Sequence, residues 1–109
     1  MNSPAETTKA TTIVPLPDLK LLIIALGHTS RWKMLKELSA GEPRSIDEMA
    51  KAGECRYGSA IKHLQVMVRA GLVAQGRGRL YQLARQYLPT PGVPVVDFGH
   101  CVLRLDAQK

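Results

Sequence analysis

The stretch from Ser45 to Leu83, SIDEMAKAGECRYGSAIKHLQVMVRAGLVAQGRGRLYQL, decides the fold of this 109-residue chain. Its first residues include Ser45 and Glu48, which have the spacing of a capping box and predict a short helix that ends at Gly53. A longer helix with a polar outer face is predicted from about Arg56 to Ala70. A short helix, a tight connection and a longer helix in this order form the helix-turn-helix pattern.

Two short β-prone runs follow this pair of helices. Leu72–Ala74 and Leu80–Leu83 flank the sequence Gly76-Arg77-Gly78-Arg79, which predicts a β-hairpin with two arginines at its tip. Glycines let such a tip approach a surface closely, and arginines there reach phosphates or enter a minor groove. The sequence therefore predicts a winged helix-turn-helix fold that is mainly α with a small β-hairpin (α+β).

The predicted domain spans residues 18–88. Asp18 follows a Pro-Leu-Pro sequence and is the predicted cap of a first helix that ends at Gly27. Thr29 or Ser30 is the predicted cap of a second helix, whose apolar residues recur at helical spacing. These two helices complete the α-helical part of the predicted domain.

Both ends of the chain differ from this domain. Residues 1–17 open with the polar run MNSPAETTKATT and are expected to form a disordered tail. Residues 89–109 contain three prolines near their start, which exclude a regular helix after the wing. Because Val93–Val96 and Cys101–Leu105 are β-prone, this extension is expected to add strands that pack on the domain or on a second subunit.

The net charge of +6 is concentrated in the middle of the chain. Residues 1–54 contain seven basic and seven acidic side chains, and residues 97–109 contain two of each. The segment from Cys55 to Val96 contains six basic residues and no acidic one. Charge segregated in this way attracts the phosphate backbone of a nucleic acid. Because the charge coincides with the helix-turn-helix pattern, double-stranded DNA is the expected partner.

The outer face of the longer helix supplies the candidate DNA contacts. An α-helix fits the major groove of B-form DNA, and helical spacing turns the polar side chains of this helix away from the core. The predicted DNA-binding residues are Arg56, Tyr57, Ser59, Lys62, His63 and Arg69, with Arg77 and Arg79 on the wing. The cations can donate to guanine or phosphate, and Tyr57 and Ser59 suit phosphate oxygens or base edges.

With these motifs in place, the sequence resembles the ArsR-type winged-helix repressors. The stretch ALGHTSRWKMLKEL (Ala25 to Leu38) is similar to the second-helix pattern of that family, with Arg31 at its arginine position. Ser45–Leu83 is similar to the family's helix-turn-helix and wing, including the pair His63-Leu64 and the run Ala70-Gly71-Leu72-Val73. The resemblance implies a sequence-specific transcriptional regulator, expected to be a repressor, and implies that His63 contacts the DNA backbone.

The resemblance also concerns dimerisation and metal sensing. It implies a homodimer, and the first helix is apolar nearly all round. A dimer interface is therefore expected at Leu19, Leu22, Ile23 and Leu26. The Cys-x-Cys pair of metal-sensing members is absent, because Asp47–Ala52 occupies the equivalent stretch. Metal sensing is not expected.

Other chemistry has little support. Cys55, His63, His100 and Cys101 are zinc-type ligands, but their spacing matches no ligand motif, so no metal site is predicted. A redox-sensing thiol at Cys55, beside a helix N-terminus, is a less favoured alternative.

No catalytic cluster, phosphate-binding glycine loop or ligand pocket is evident, so no enzyme, cofactor or small-molecule ligand is predicted. The chain lacks a secretory signal and an apolar stretch of about 20 residues, so a cytoplasmic location without membrane binding is expected.

Two other functions remain as alternatives. The first is a winged-helix module that binds proteins and not DNA, which is disfavoured because protein interfaces deplete uncompensated charge at their centre. The second is an RNA-binding winged helix, since phosphate attraction serves either nucleic acid. The lack of an aromatic stacking platform argues against single-stranded RNA.

Overall fold

The computed structural model describes residues 16–93 and 95–104, so the predicted tail up to residue 15 and the end of the β-prone extension lie outside the described residues. Within this part of the chain the helices are Leu19–Leu26 (α1), Thr29–Leu38 (α2), Ile46–Gly53 (α3) and Tyr57–Arg69 (α4). The strands are Val73–Gln75 (β1), Tyr81–Leu83 (β2), Val95–Asp97 (β3) and Val102–Arg104 (β4). The protein is α+β, and its four helices followed by an antiparallel hairpin are compatible with the predicted winged helix.

Local hydrogen bonds start α1 and α3 where the sequence predicts. At α1, Asp18 Oδ1 accepts the backbone N–H of Leu21 at 3.0 Å. At α3, Ser45 Oγ accepts the N–H of Glu48 at 3.2 Å, and Glu48 Oε1 accepts the N–H of Ser45 at 2.8 Å. The second of these bonds lowers the pKa of Glu48. This reciprocal pair is the predicted capping box.

The predicted cap of α2 is wrong. Thr29 and Ser30 already lie inside the helix, and the residue at the cap position is His28. Its Nδ1 atom accepts the N–H of Ser30 at 3.1 Å. An imidazole nitrogen therefore satisfies a free amide of the first turn that a hydroxyl was expected to satisfy.

The helices surround one aliphatic core. α2 packs against α3, α3 packs against α4, and α1 lies against α4. The side chains that these helices bury are Leu22, Ala25, Met34, Leu35, Leu38, Met49, Ala60, Leu64 and Met67. Leu22 was predicted in the dimer interface, but it is 1% exposed because it shares the core-facing side of α1 with Ala25, one turn later. Val68 is 38% exposed, at the edge of the buried face of α4.

The first hairpin is anchored to the helices through a third backbone segment. β1 and β2 pair antiparallel, from Val73 opposite Leu83 to Gln75 opposite Tyr81. Arg44, in the connection between α2 and α3, pairs with Tyr81. Each of these two residues donates its N–H to the carbonyl of the other, at 2.8 and 2.7 Å. The hairpin is therefore held in a defined position beside the helix pair.

The C-terminal extension packs on its own domain. β3 and β4 form a second antiparallel hairpin. The side chains that it buries are Val96, Phe98 and Leu103. The Phe98 ring lies 5.0 Å from the Tyr87 ring at an interplanar angle of 62°, an edge-to-face contact. His100 Nε2 lies 2.9 Å from the carbonyl oxygen of Pro17, which joins the turn of this hairpin to the start of α1.

Candidate nucleic-acid interface

The exposed face of α4 is a narrow polar stripe. The helix turns Ala60, Leu64 and Met67 to the core, where each is fully buried. The exposed residues on the opposite side, at spacings of four, three and four, are Gly58, Lys62, Gln65 and Arg69. At 3.6 residues a turn these four positions fall within a sector of about 60°. We call them the α4 stripe; it presents two cations and one amide directly away from the core.

The structure exposes most of the residues that were predicted on α4. The exposed ones are Arg56, Tyr57, Ser59, Lys62 and Arg69. Tyr57 and Ser59 flank the stripe on opposite sides, and Arg56 precedes the first turn. Gln65 was not predicted, because an uncharged amide has no distinctive pattern until the helix is built and its exposed stripe is visible.

The first hairpin lies beside the α4 stripe. Residues of both elements line one open cleft: Gln65, Val68 and Arg69 from α4, and Gln75 and Tyr81 from the hairpin. Beyond the cleft, the hairpin tip at Arg77–Arg79 is fully on the surface, with each of its residues exposed. The fold therefore places strand residues of the hairpin beside α4 and leaves the cations of α4 and of the tip exposed.

The hairpin tip is a tight turn. The N–H of Gly76 donates to the carbonyl of Leu80 at 2.7 Å and closes the loop. Gly78 and Arg79 have left-handed backbones, with φ of 68° and 60°. Glycine adopts this conformation freely, but at Arg79 it costs about 1 kcal/mol. The turn thus holds two arginines at an exposed tip at some cost to local stability.

The N-terminus of α4 differs from those of the other described helices. α1, α2 and α3 each have a side chain that accepts an amide hydrogen of the first turn, whereas Arg56 at the cap of α4 makes no such bond. Free amides at a helix start, together with the helix dipole, favour an anion. The Arg56 side chain adds a full positive charge at the same place. This end of α4 is therefore suited to a phosphate group.

The cations of this surface have no acidic partners among the described residues. The ion pairs in that part of the chain join Lys33 to Glu54 at 3.0 Å, and Arg44 to Glu37 at 2.9 Å and to Glu42 at 3.2 Å. All of these lie on α2, α3 and the segments next to them. Between Arg56 and Arg85 the exposed basic residues, none of which belongs to these pairs, are Arg56, Lys62, Arg69, Arg77, Arg79 and Arg85. Their field is therefore not neutralised locally.

His63 does not lie on the outer face, contrary to prediction. Its side chain is 9% exposed, and its Nδ1 atom accepts a hydrogen bond from Arg31 Nε at 3.0 Å. Arg31 also donates through Nη1 to the carbonyl of Ile24, and the His63 ring lies 4.4 Å from the His28 ring. His63 and Arg31, two residues that support the family resemblance, therefore contact each other and join α1, α2 and α4.

Burial lowers the pKa of the His63 imidazole below its ordinary value of 6.5, and the nearby His28 and Arg31 lower it further. The unfolded chain therefore binds this proton more readily than the folded chain. Stability that is present above pH 6.5 is lost as the pH falls through the lowered folded-state pKa. We expect the free energy of unfolding, measured by urea denaturation, to decline between pH 7 and pH 5.

A His63→Asn variant is the matched control for this pH dependence. The Asn oxygen can take the place of Nδ1 as the acceptor for Arg31 but does not titrate. The decline in stability below pH 6.5 should be smaller in this variant than in the wild type. Identical pH dependence in the two proteins would show that His63 titrates normally in the fold.

Other kinds of site find no support in the described part of the chain. No three His, Cys, Asp or Glu side chains there lie close enough together to hold a metal ion. Cys55 is partly buried and Cys101 is exposed, and both are free thiols. None of the helices in residues 16–93 and 95–104 is long and apolar enough to span a bilayer.

Comparison with known proteins does not add a family. A scan of the chain against protein-family models found no match, and a search of the curated proteins also found none. The candidate interface is therefore defined by its own geometry: an exposed stripe on α4, an arginine-tipped hairpin beside it, and a positive field that no acidic side chain in the described segment offsets.

Proposed function

We propose that this protein is a winged helix-turn-helix transcriptional regulator that binds double-stranded DNA sequence-specifically as a homodimer. One observation carries the proposal: residues of α4 and of the first hairpin line one cleft, and the exposed cations of α4 and of the hairpin tip belong to none of the ion pairs found among the described residues. Uncompensated charge destabilises a fold slightly through self-repulsion, so its concentration on one surface indicates an anionic partner.

The α4 stripe is the part proposed to enter the major groove. A helix with its side chains is about 10–12 Å across, which matches the major groove of B-form DNA, about 12 Å wide. Lys62 and Arg69 then lie within reach of guanine edges or phosphates. Arg56 and the uncapped amides of α4 are proposed to hold a phosphate, and Tyr57 and Ser59 to contact the backbone on either side.

The hairpin is proposed to act as the wing. Its position beside α4, set by the backbone pairing of Arg44 with Tyr81, directs the tip toward the DNA segment next to the one that α4 occupies. Arg77 and Arg79 at the tip would contact phosphates or enter the minor groove there. This gives each subunit two points of attachment to one duplex.

The exposed side of α1 is proposed as the dimer interface. Its exposed apolar residues, with the one just before the helix, are Leu16, Leu19, Ile23 and Ile24 at 61%, 50%, 61% and 46%. Of the other two residues predicted in this interface, Leu22 is buried in the core and cannot contribute, and Leu26 is partly buried against the core. Two copies joined here would present two α4 helices to two half-sites, which is the usual arrangement of helix-turn-helix proteins on DNA.

Two features argue against the alternatives. Duplex RNA has a major groove too deep and narrow for a helix, so the α4 stripe suits DNA better. Single-stranded RNA requires exposed aromatic side chains, yet Tyr81, Tyr87 and Phe98 are buried and only Tyr57 is strongly exposed in the described part. A protein partner is disfavoured because protein interfaces deplete charged residues at their centre, whereas this surface concentrates positive charge.

The test is binding of the purified protein to a pool of random duplex DNA across a series of salt concentrations. We expect one site to be enriched, and the affinity to fall steeply with salt. A Lys62→Ala/Arg77→Ala/Arg79→Ala variant should bind that site at least 100-fold more weakly, with a salt slope smaller by roughly 4 to 5, because a dimer of this variant lacks six cations.

Lys36→Ala is the matched control, since Lys36 is an exposed cation on α2, outside the proposed surface. Its affinity and salt slope should equal those of the wild type. Failure of the wild type to bind duplex DNA at low salt would refute the proposed function. A parallel titration with duplex and single-stranded RNA of the same sequence would then identify an RNA-binding protein.

A further inference from the structure

Gln65 occupies the centre of the α4 stripe. It is exposed, and it lies three residues after Lys62 and four before Arg69, so all three project from the same side of the helix. Within the described residues its amide makes no hydrogen bond. The hydrogen bond from an α4 side chain to another helix is made on the buried face, by His63 with Arg31. The Gln65 amide therefore does not contribute to the fold through a hydrogen bond.

The chemistry of the stripe distinguishes Gln65 from its neighbours. Lysine and arginine only donate hydrogen bonds, so in a major groove they contact phosphates or the acceptors of guanine. A glutamine amide both donates and accepts, which matches the N6 donor and N7 acceptor of adenine. Gln65 is the one member of the stripe able to make this paired contact. A second amide, Gln75 on β1, lines the same cleft.

Gly58, at the start of the stripe, has no explanation within the described chain. Its backbone is helical, and a Cβ added there would meet no atom within 4 Å. Neither conformation nor packing therefore requires glycine, although glycine weakens an exposed helix relative to alanine. A glycine at an exposed position also lets another molecule approach the backbone closely, and this reason remains for Gly58. Gly58 lies seven residues before Gln65, or about 10 Å along the helix.

We propose that Gln65 selects an adenine at one position of the DNA site, and that Gly58 lets α4 approach the base edges closely enough for that contact. This inference rests on the proposed function and adds to it the chemical identity of one recognised base. The cations of the surface then supply most of the affinity, and the amide supplies sequence selectivity.

The experiment is selection from random duplexes with wild-type protein, Gln65→Ala and Gly58→Ala. The wild type should enrich a site with adenine at one fixed position, and Gln65→Ala should lose the preference at that position alone. On the selected duplex its affinity should fall about 10-fold, and replacement of that adenine should no longer matter to it. Gln86→Ala, at an exposed glutamine outside α4 and the wing tip, should retain the wild-type profile.

The Gly58→Ala variant distinguishes an effect on DNA approach from an effect on folding, because affinity and thermal stability are measured separately. Its thermal unfolding temperature should equal or exceed that of the wild type, while its affinity for the selected duplex should fall at least 5-fold. A wild type that binds duplex DNA without an adenine preference overturns the inference and leaves the proposed function standing. Unchanged selectivity in Gln65→Ala, or unchanged affinity in Gly58→Ala, also overturns the inference and leaves the proposed function standing. A wild type that binds no duplex overturns both.

Discussion

Replacement of Phe98 with alanine is expected to lower the free energy of unfolding by about 3–5 kcal/mol, a large part of the total of about 5–15 kcal/mol that is usual for a small domain. Phe98 is 1% exposed, and its ring packs edge-on against Tyr87. Its removal takes a large apolar surface out of the core and leaves a cavity beside Tyr87. Urea denaturation followed by circular dichroism measures the effect.

Val102→Ala is the control in the same hairpin, because Val102 is 56% exposed and its truncation should change stability by no more than about 0.5 kcal/mol. An equally small effect of Phe98→Ala would contradict the structure, since it would mean that the extension does not belong to the core. A large effect establishes that residues beyond the wing are part of the folding unit.

Replacement of Ile23 with aspartate is expected to convert the protein from dimer to monomer. Ile23 is 61% exposed in the single chain, so the monomer should lose little stability. In a dimer joined through α1, the substitution would bury a carboxylate beside its symmetry mate at an apolar contact. Light scattering should show the mass falling from about twice 12.0 kDa to 12.0 kDa. Affinity for a two-fold symmetric DNA site should fall about 100-fold or more, because the two half-sites are then bound independently.

Val93→Asp is the matched control for this substitution. Val93 is 47% exposed and lies outside α1, so this variant should remain dimeric. A wild-type protein that is monomeric at the concentrations of the DNA-binding assay would refute the dimer without affecting DNA binding by one subunit. An Ile23→Asp protein that is still dimeric would place the interface on another surface.

Short-range features of the sequence predicted most of the elements correctly. Asp18, the Ser45 and Glu48 pair and the glycines at helix ends act on backbone groups within four residues of themselves. Such signals are independent of the rest of the fold. The first hairpin followed for the same reason, because β-prone runs and the glycines between them define a reversal of the chain locally. In the extension the sequence predicted β-prone runs, but not that they pair with each other.

The candidate site was predicted in part. Its cations were found from charge and spacing, since Lys and Arg are almost never fully buried unless they are paired. Gln65 was missed because an uncharged amide has no distinctive pattern until the helix is built and its exposed stripe is visible. The cleft that it shares with Gln75 depends on how the hairpin packs beside α4, which no local signal specifies.

The sequence by itself determined the order and approximate positions of the helices and of the first hairpin, and where the positive charge is concentrated. Only the tertiary structure decided which way particular side chains face. His63 is buried because Arg31, 32 residues earlier, supplies the hydrogen bond without which a polar ring could not leave water. Leu22 joins the core because its side of α1 meets α4. Both outcomes depend on partners that are distant in sequence. Whether a residue is buried is therefore decided by the elements that pack around it in the folded chain, and not by the residue alone.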